Sequence, residues 1–218
     1  QLGIGVSTFT EMCGPAPRRG LGQSASLTPS ETGMPDTFEG EILVPFPAES
    51  ALSGVMREVG PENRLWYRRT FSIPEDWAGR KIQLNFGAVD WQATVWVNER
   101  KVGEHRGGYD PFSFDITSAI QGTGPQQITV AVWDPTDAGT QARGKQIRKP
   151  QSIWYTPVTG IWQTVWLEPV PETAIEQVKI VPDAKYGKVQ MTVSASTAGS
   201  PGAKITLVSR SLGDKNEP

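Results

Sequence analysis

From Leu65 to Ser209 the apolar residues of this chain recur at every second position in short runs, and each run ends at a turn-forming residue. A period of two places alternate side chains on opposite faces of an extended backbone, the pattern of a half-buried β-strand. Trp66 to Ile73 reads as a strand stopped by Pro74. Lys81 to Phe86 puts Ile82, Leu84 and Phe86 on one face and Lys81, Gln83 and Asn85 on the other. Ala93 to Val97 alternates again and runs into Asn98-Glu99-Arg100-Lys101, which predicts a hairpin turn before Val102. Phe112, Phe114 and Ile116 follow the Gly107-Gly108 bend; Ile128, Val130 and Val132 line the next strand, and Ile161, Val165 and Leu167 a late one. Helical periodicity is nearly absent, with one turn predicted over Thr117 to Ile120. These residues predict an all-β fold, a sandwich of two sheets.

The pattern also divides the chain. Residues 1–40 are rich in Gly, Pro, Ser and Thr without period, so they are expected to be irregular, with Thr10 to Thr37 a loop or disordered. Ile42-Leu43-Val44 begins patterned sequence, and Pro45 and Pro47 confine it to a sheet edge. Between Asp134 and Ser152 the alternation lapses into a polar loop carrying Gly139, Arg143, Gly144, Lys145, Arg148 and Lys149. Loops of that length without their own structure are usually functional or mobile. Pro169-Val170-Pro171 closes a domain spanning 41–170. Beyond it, Ile175 to Val181, Val189 to Ala195 and Ile205 to Ser209 alternate once more. Three strands do not close a seven-stranded sandwich, so 172–218 is expected to be a partial one.

Composition narrows the partners. Lys plus Arg number 21 against 23 Asp plus Glu, with no run of one sign, which argues against nucleic acid or an anionic membrane as partner. No apolar stretch reaches the length of a membrane-spanning helix. The single cysteine, Cys13, permits no intrachain disulfide. The single histidine, His105, rules out a multi-histidine metal site and comes without the nucleophile motif of a Ser-His-Asp triad. No metal and no organic cofactor is signalled. The chain opens on Gln1, as it would after removal of a signal peptide or inside a longer reading frame, and nothing in these counts chooses a compartment. All eight tryptophans fall from Trp66 to Trp166, an enrichment that suits both a β-sandwich core and contact with sugar rings.

Six collinear motifs resemble the N-terminal domain of family 2 glycoside hydrolases, the β-galactosidase, β-glucuronidase and β-mannosidase group. They are Arg64-Leu65-Trp66-Tyr67-Arg68-Arg69, Asp76-Trp77-Ala78-Gly79-Arg80, Asn85 through Asp90, Val95-Trp96-Val97-Asn98, Gly103 through Asp115, and Gly160 through Leu167. The resemblance implies a jelly-roll sugar-binding domain followed by the start of an immunoglobulin-like sandwich. It further implies a (β/α)₈ barrel, absent from this chain, that cleaves O-glycosidic bonds of β-linked glycosides with two glutamates. A retaining mechanism of that kind holds its two carboxyl groups about 5–5.5 Å apart. The carbohydrate and the barrel itself are the implied partners.

Three features depart from the family. The Asn-Glu pair of the acid/base occurs here as Asn98-Glu99, in a predicted turn, and as Asn216-Glu217, at the chain end, so no catalytic residue is assigned. The tryptophan-bearing first strand is missing before Ile42. Several members carry an Asp that holds a sugar hydroxyl six residues before the Gly of the Gly160-Ile161 motif; here that position is Trp154, which can stack on a sugar but accepts no hydroxyl proton.

Candidate substrate-binding residues are Glu49, Asp90, Trp91, Trp154 and Tyr155. Glu49 follows Pro45-Phe46-Pro47 in a loop expected to point toward the barrel, and it reads equally as a solvated loop carboxylate. Asp90-Trp91 offers a hydroxyl acceptor beside a stacking ring, or a turn-capping Asp at a strand entry. Trp154-Tyr155, with the basic loop Gln141 to Lys149, forms an aromatic surface. His105 reads as a turn residue. The functions open to such a chain are the accessory region of a glycosidase, a free-standing carbohydrate-binding module and a scaffold without sugar contact.

Overall fold

The structure, a computed structural model, describes residues 7–8, 23–29 and 33–197. The chain divides into two compact units, Gln1–Pro169 and Val170–Pro218.

The first unit is a β-sandwich of the jelly-roll class. Its strands are β1 (Ser7–Thr8), β2 (Gln23–Pro29), β3 (Gly40–Ile42), β4 (Asn63–Phe71), β5 (Lys81–Phe86), β6 (Val89–Asp90), β7 (Gln92–Val97), β8 (Arg100–Arg106), β9 (Phe112–Asp115), β10 (Gln126–Trp133), β11 (Gly160–Ile161) and β12 (Val165–Val170). One sheet has the order β3-β2-β4-β10-β7-β8 and the other β1-β12-β5-β9, with β11 and β6 pairing separately. Short 3-10 turns at Ala51–Ser53, Glu75–Trp77 and Thr117–Ala119 join the strands.

Alternation sets the core. Ile128, Val130 and Val132 of β10, Ala93, Val95 and Val97 of β7, and Ile82, Leu84 and Phe86 of β5 are all buried. Phe86 stacks on Phe112 at 4.8 Å between ring centroids. Burial of each such large apolar side chain contributes about 1.5–3 kcal/mol. The outward face of the larger sheet is also aromatic: Trp66 stacks on Trp96 at 5.7 Å and donates its indole N–H to Thr28 Oγ1 at 2.9 Å, so it is buried without facing the core.

The β7–β8 hairpin turns as its residues dictate. Asn98 and Glu99 both have positive φ, 48° and 65°, the conformation a two-residue hairpin loop requires and asparagine tolerates. Asn98 Nδ2 donates to Ala119 O and to Gln126 Oε1, and its Oδ1 accepts from Gln127 N–H. Asn98-Glu99 is therefore a structural turn. Asn98→Ala loses these bonds and is expected to cost about 1–2 kcal/mol in a urea titration; an unchanged midpoint would show that they contribute nothing.

Three expectations need correction. The stretch 10–37, expected to be loop, contains β2, whose Ser24 to Pro29 pair with Arg68 to Asn63 of β4. Its sequence QSASLTP has no apolar alternation, because strand formation here comes from laddering between β3 and β4. Ile161 and Leu167, read as one strand, belong to two: β11 pairs β6, then Gln163-Thr164 carries the chain into the smaller sheet, where Gly87 N–H donates to Thr164 O. His105 is a strand residue of β8, its ring stacked on Phe112 at 4.0 Å.

The second unit is described as an antiparallel pair, β13 (Thr173–Asp183) and β14 (Lys188–Thr197). Val178↔Val193 and Ile180↔Met191 share one face, Gln177↔Ser194 and Lys179↔Thr192 the other. A bulge between Ile175 and Gln177 keeps Ile175 on the apolar face. The expected third strand, Ile205 to Ser209, and Asn216-Glu217 lie outside the described residues, as does Cys13.

Candidate functional site

Four segments of the first unit converge on Thr159: the loop after β3, the β6 strand, the end of β10, and the long connection from Asp134 to Thr159. That connection is organised by its own polar groups. Asp134 Oδ1 accepts from Thr136 N–H at 2.7 Å, a turn that starts the loop. Asp137 Oδ2 accepts from Arg148 N–H, and the Arg148 side chain reaches Asp137 at 3.3 Å and Glu62 at 3.6 Å. Tyr155 N–H donates to Lys145 O and Ile147 N–H to Tyr155 O, while Gln146 Oε1 accepts from Val158 N–H at 2.6 Å. The segment Lys145–Val158 is thus a closed, internally bonded loop, with Tyr155 paired beside Gln146 at its neck.

Beneath it sit three carboxyl groups. Glu49 Oε2 accepts from Thr159 N–H at 3.0 Å, and the other oxygen, Oε1, is buried without a hydrogen-bond partner. Thr159 Oγ1 donates to Asp134 Oδ2 at 2.9 Å. Asp90 interacts with the Gln146 side chain and packs so tightly on Gly108 that a Cβ there would overlap its carboxyl. Asp90 and Asp134 are each 3% exposed, closed to a substrate. Burial, chiefly, raises Glu49 from 4.5 to about 7 and Asp90 from 3.8 to about 7; neighbouring carboxylates add to both, Asp134 on Glu49, and Asp134 and Glu49 on Asp90. Asp134 is also raised, again by burial first and then by Asp137. Tyr67, fully buried, accepts Ile161 N–H at 3.1 Å, and burial together with Glu49 holds its phenol well above the ordinary range.

The sequence candidates separate accordingly. Glu49 and Asp134 are joined through Thr159, and Asp90 lies on β6 with its carboxyl against Gly108. Trp91 is half-buried after a cis peptide from Asp90, and its carbonyl accepts from Gly107 N–H. Trp154 and Tyr155 are exposed, 38% and 67%, next to Ile153 at 62%. Near the same loop, Trp162 donates its indole N–H to Gly108 O at 2.7 Å and meets Tyr109 edge-on at 6.1 Å. Among the described residues no group of three or more His, Cys, Asp or Glu is arranged to hold a metal ion. Asp134 and Thr159 were not legible as site residues; the Asp134-Pro135-Thr136 turn is the one signal that marks the first.

Over residues 44–171, this sandwich matches the family model described as glycosyl hydrolases family 2, sugar binding domain. The chain belongs to glycosyl hydrolase family 2. Within that family it is 34% identical over 136 residues to a β-galactosidase of Thermoanaerobacter pseudethanolicus, an alignment covering 62% of this chain and 18% of that protein. It is 29% identical over 92 residues to a β-glucuronidase of Paenibacillus borealis, covering 41% of this chain and 15% of the other. The chain thus spans less than a fifth of the length of these two relatives. Among solved structures, a Faecalibacterium prausnitzii β-glucuronidase superposes with a TM-score of 0.57 at 23% identity, covering 84% of this chain and 37% of that one. A Ruminococcus gnavus β-glucuronidase gives 0.58 at 18%, covering 82% and 32%. Those identities establish a shared fold. The family 2 chain therefore corresponds to the sugar-binding domain of much longer glycosidases.

Proposed function

We propose that this domain is the accessory region of a glycosidase that hydrolyses O-glycosidic bonds in β-linked glycosides, and that it lends the Trp154-Tyr155 loop to the sugar subsite beside a catalytic barrel. The observation that carries the reading is the exposure of Ile153, Trp154 and Tyr155 on a loop whose backbone is bonded internally and anchored at Thr159. An exposed aromatic held in one position presents a stacking face to a sugar at small entropic cost. The catalytic glutamates belong to the barrel, and Glu49 holds the end of the loop through Thr159. Relatives that are β-galactosidases and β-glucuronidases support the substrate class but do not choose the sugar.

The test is Trp154→Ala in an enzyme joining this chain to a family 2 barrel. One lost stacking contact is worth about 0.5–1.5 kcal/mol, so kcat/KM on aryl β-glycosides is expected to fall roughly three- to tenfold. An unchanged kcat/KM for both Trp154→Ala and Tyr155→Ala would reject the contribution of this loop. Glycan binding by the chain alone, lost in the same variants, would instead favour a free-standing carbohydrate-binding module, the reading that the exposed rings also support.

A further inference from the structure

We propose that the β3 edge of the larger sheet carries a second carbohydrate site, a cleft walled by Glu39, Arg57 and Ser26 that takes a neutral hexopyranose. The site shares no residue with the Trp154-Tyr155 loop.

The cleft has a volume of about 310 Å³, enough for a small ligand. It lies where β3 ends its sheet, between β2, β3, Leu65 of β4 and the segment 54–57. Two glycines leave it open: a Cβ at Gly40 or at Gly54 would meet nothing within 4 Å. Gly54 has φ +81° and ends the turn Ala51–Ser53, its N–H donating to Ala51 O. Gly40 pairs with Ala25 as strand backbone without a positive φ, so a side chain there meets no backbone strain. The wall formed by 54–57 is fixed in place. Leu43 N–H donates to Ser53 O at 2.9 Å, Val55 N–H to Ser53 Oγ at 3.0 Å and Arg57 N–H to Ala48 O at 3.0 Å. The cleft is therefore preformed, which lowers the entropic cost of filling it.

Its lining is of two kinds. Ala25 and Leu65 are core residues and Val55 packs against the same core, so together they make an apolar patch. Beside it, Glu39 Oε2 accepts from Arg57 Nη1 at 2.9 Å and Oε1 accepts from the buried Ser26 hydroxyl at 3.4 Å. The second bond is long, so the Ser26 hydroxyl can turn to a ligand. A carboxylate offers about four acceptor sites and a guanidinium five donors, so this pair can both accept from and donate to neighbouring hydroxyls. A pyranose presents C–H groups on its faces and hydroxyls around its rim, which matches a patch of the first kind beside a pair of the second. Charge narrows the class further. Glu39 neutralises Arg57, and Glu41 leaves the lining with an excess negative charge that repels a uronate. No aromatic ring is among the described residues of the lining, so affinity is modest, with Kd about 1–10 mM.

NMR titration of the full chain with methyl β-D-galactopyranoside, methyl β-D-glucopyranoside and methyl β-D-glucuronide tests this. One or both neutral glycosides are expected to move the amide signals of 39–41 and 54–57 with that Kd, and the glucuronide to bind at least about fivefold more weakly. Gly40→Leu places a side chain in the open space and is expected to weaken binding at least about tenfold. Arg57→Ala removes the donor and is expected to weaken it about three- to tenfold. Trp154→Ala is expected to leave these shifts as they are. The site is overturned if neither neutral glycoside moves these amides, if Gly40→Leu binds as the wild type does, or if the glucuronide binds as tightly as the neutral glycosides. Should Gly40→Leu lose its dispersed spectrum, Arg57→Ala at the exposed rim decides, and wild-type affinity in that variant overturns the site. The titration reads neither catalysis nor the Trp154-Tyr155 loop, so its failure leaves the accessory-domain reading standing, and failure of the kinetic test leaves this site standing.

Discussion

Gly160→Ala is expected to destabilise the sandwich by about 2–5 kcal/mol, combining overpacking with a left-handed backbone that disfavours a side chain. Gly160 has φ +95°, and a Cβ there would overlap the Tyr67 hydroxyl and press on Leu65. Neither neighbour has room to yield: Leu65 and Tyr67 are core residues, and the Tyr67 oxygen is fixed by Ile161 N–H at 3.1 Å. The substitution therefore strains β11 and displaces the bond that seats it. For a unit of this size the melting temperature is expected to drop by roughly 5–15 °C. Gly79 supplies the control, since its φ is +76° but a Cβ there would meet nothing within 4 Å. Gly79→Ala isolates the backbone cost, about 1–2 kcal/mol. If the two variants melt together, the close approach at Tyr67 has no energetic weight.

The contrast between these glycines shows what a sequence conveys. Alternation exposed the core residues of β5, β7 and β10 directly, although β10 also buries Thr129 and Ala131 on its other face. The Asn98-Glu99 turn was legible because few residues accept positive φ twice in succession. All six family motifs fall inside the matched residues 44–171. Strand β2 was not legible, since small polar residues held by two neighbouring ladders leave no apolar period. Nor was the burial of Trp66 on the outward sheet face, which depends on Trp96 and Thr28 from distant strands. The carboxyl cluster was half visible. Glu49 and Asp90 stood out individually, but Asp134 did not, and what joins it to Glu49 is Thr159, 110 residues from Glu49 and 25 from Asp134. A threonine amide and hydroxyl leave no pattern in one dimension.

That cluster also fixes the sign of the pH dependence. Glu49 moves from 4.5 and Asp90 from 3.8 to about 7 in the folded chain. Groups raised by folding bind protons more tightly in the native state, so their favourable contribution is complete below the unfolded values and is lost as pH rises toward 7. A tenfold difference in proton affinity between the folded and unfolded chain corresponds to about 1.4 kcal/mol, but the two carboxyls act on each other and their losses do not simply add. The expected fall in unfolding free energy between pH 4.5 and 8 is therefore about 2–5 kcal/mol, read from urea titrations of tryptophan fluorescence. Glu104 and Asp137 are lowered, Glu104 mainly by its hydrogen bond from Lys101 and Asp137 mainly by the Arg148 amide, and act in the opposite sense. They lie at the surface, where solvent screening keeps their weight small. Glu49→Gln separates titration from packing. It is expected to raise stability at pH 8 by about 1–2 kcal/mol, because it removes a buried charge, and to give no gain at pH 4.5, where the wild-type carboxyl is already protonated. Equal destabilisation at both values would mean that Glu49 acts through the shape of its contact with Thr159, and the pH dependence would then have to come from Asp90 and Asp134 alone.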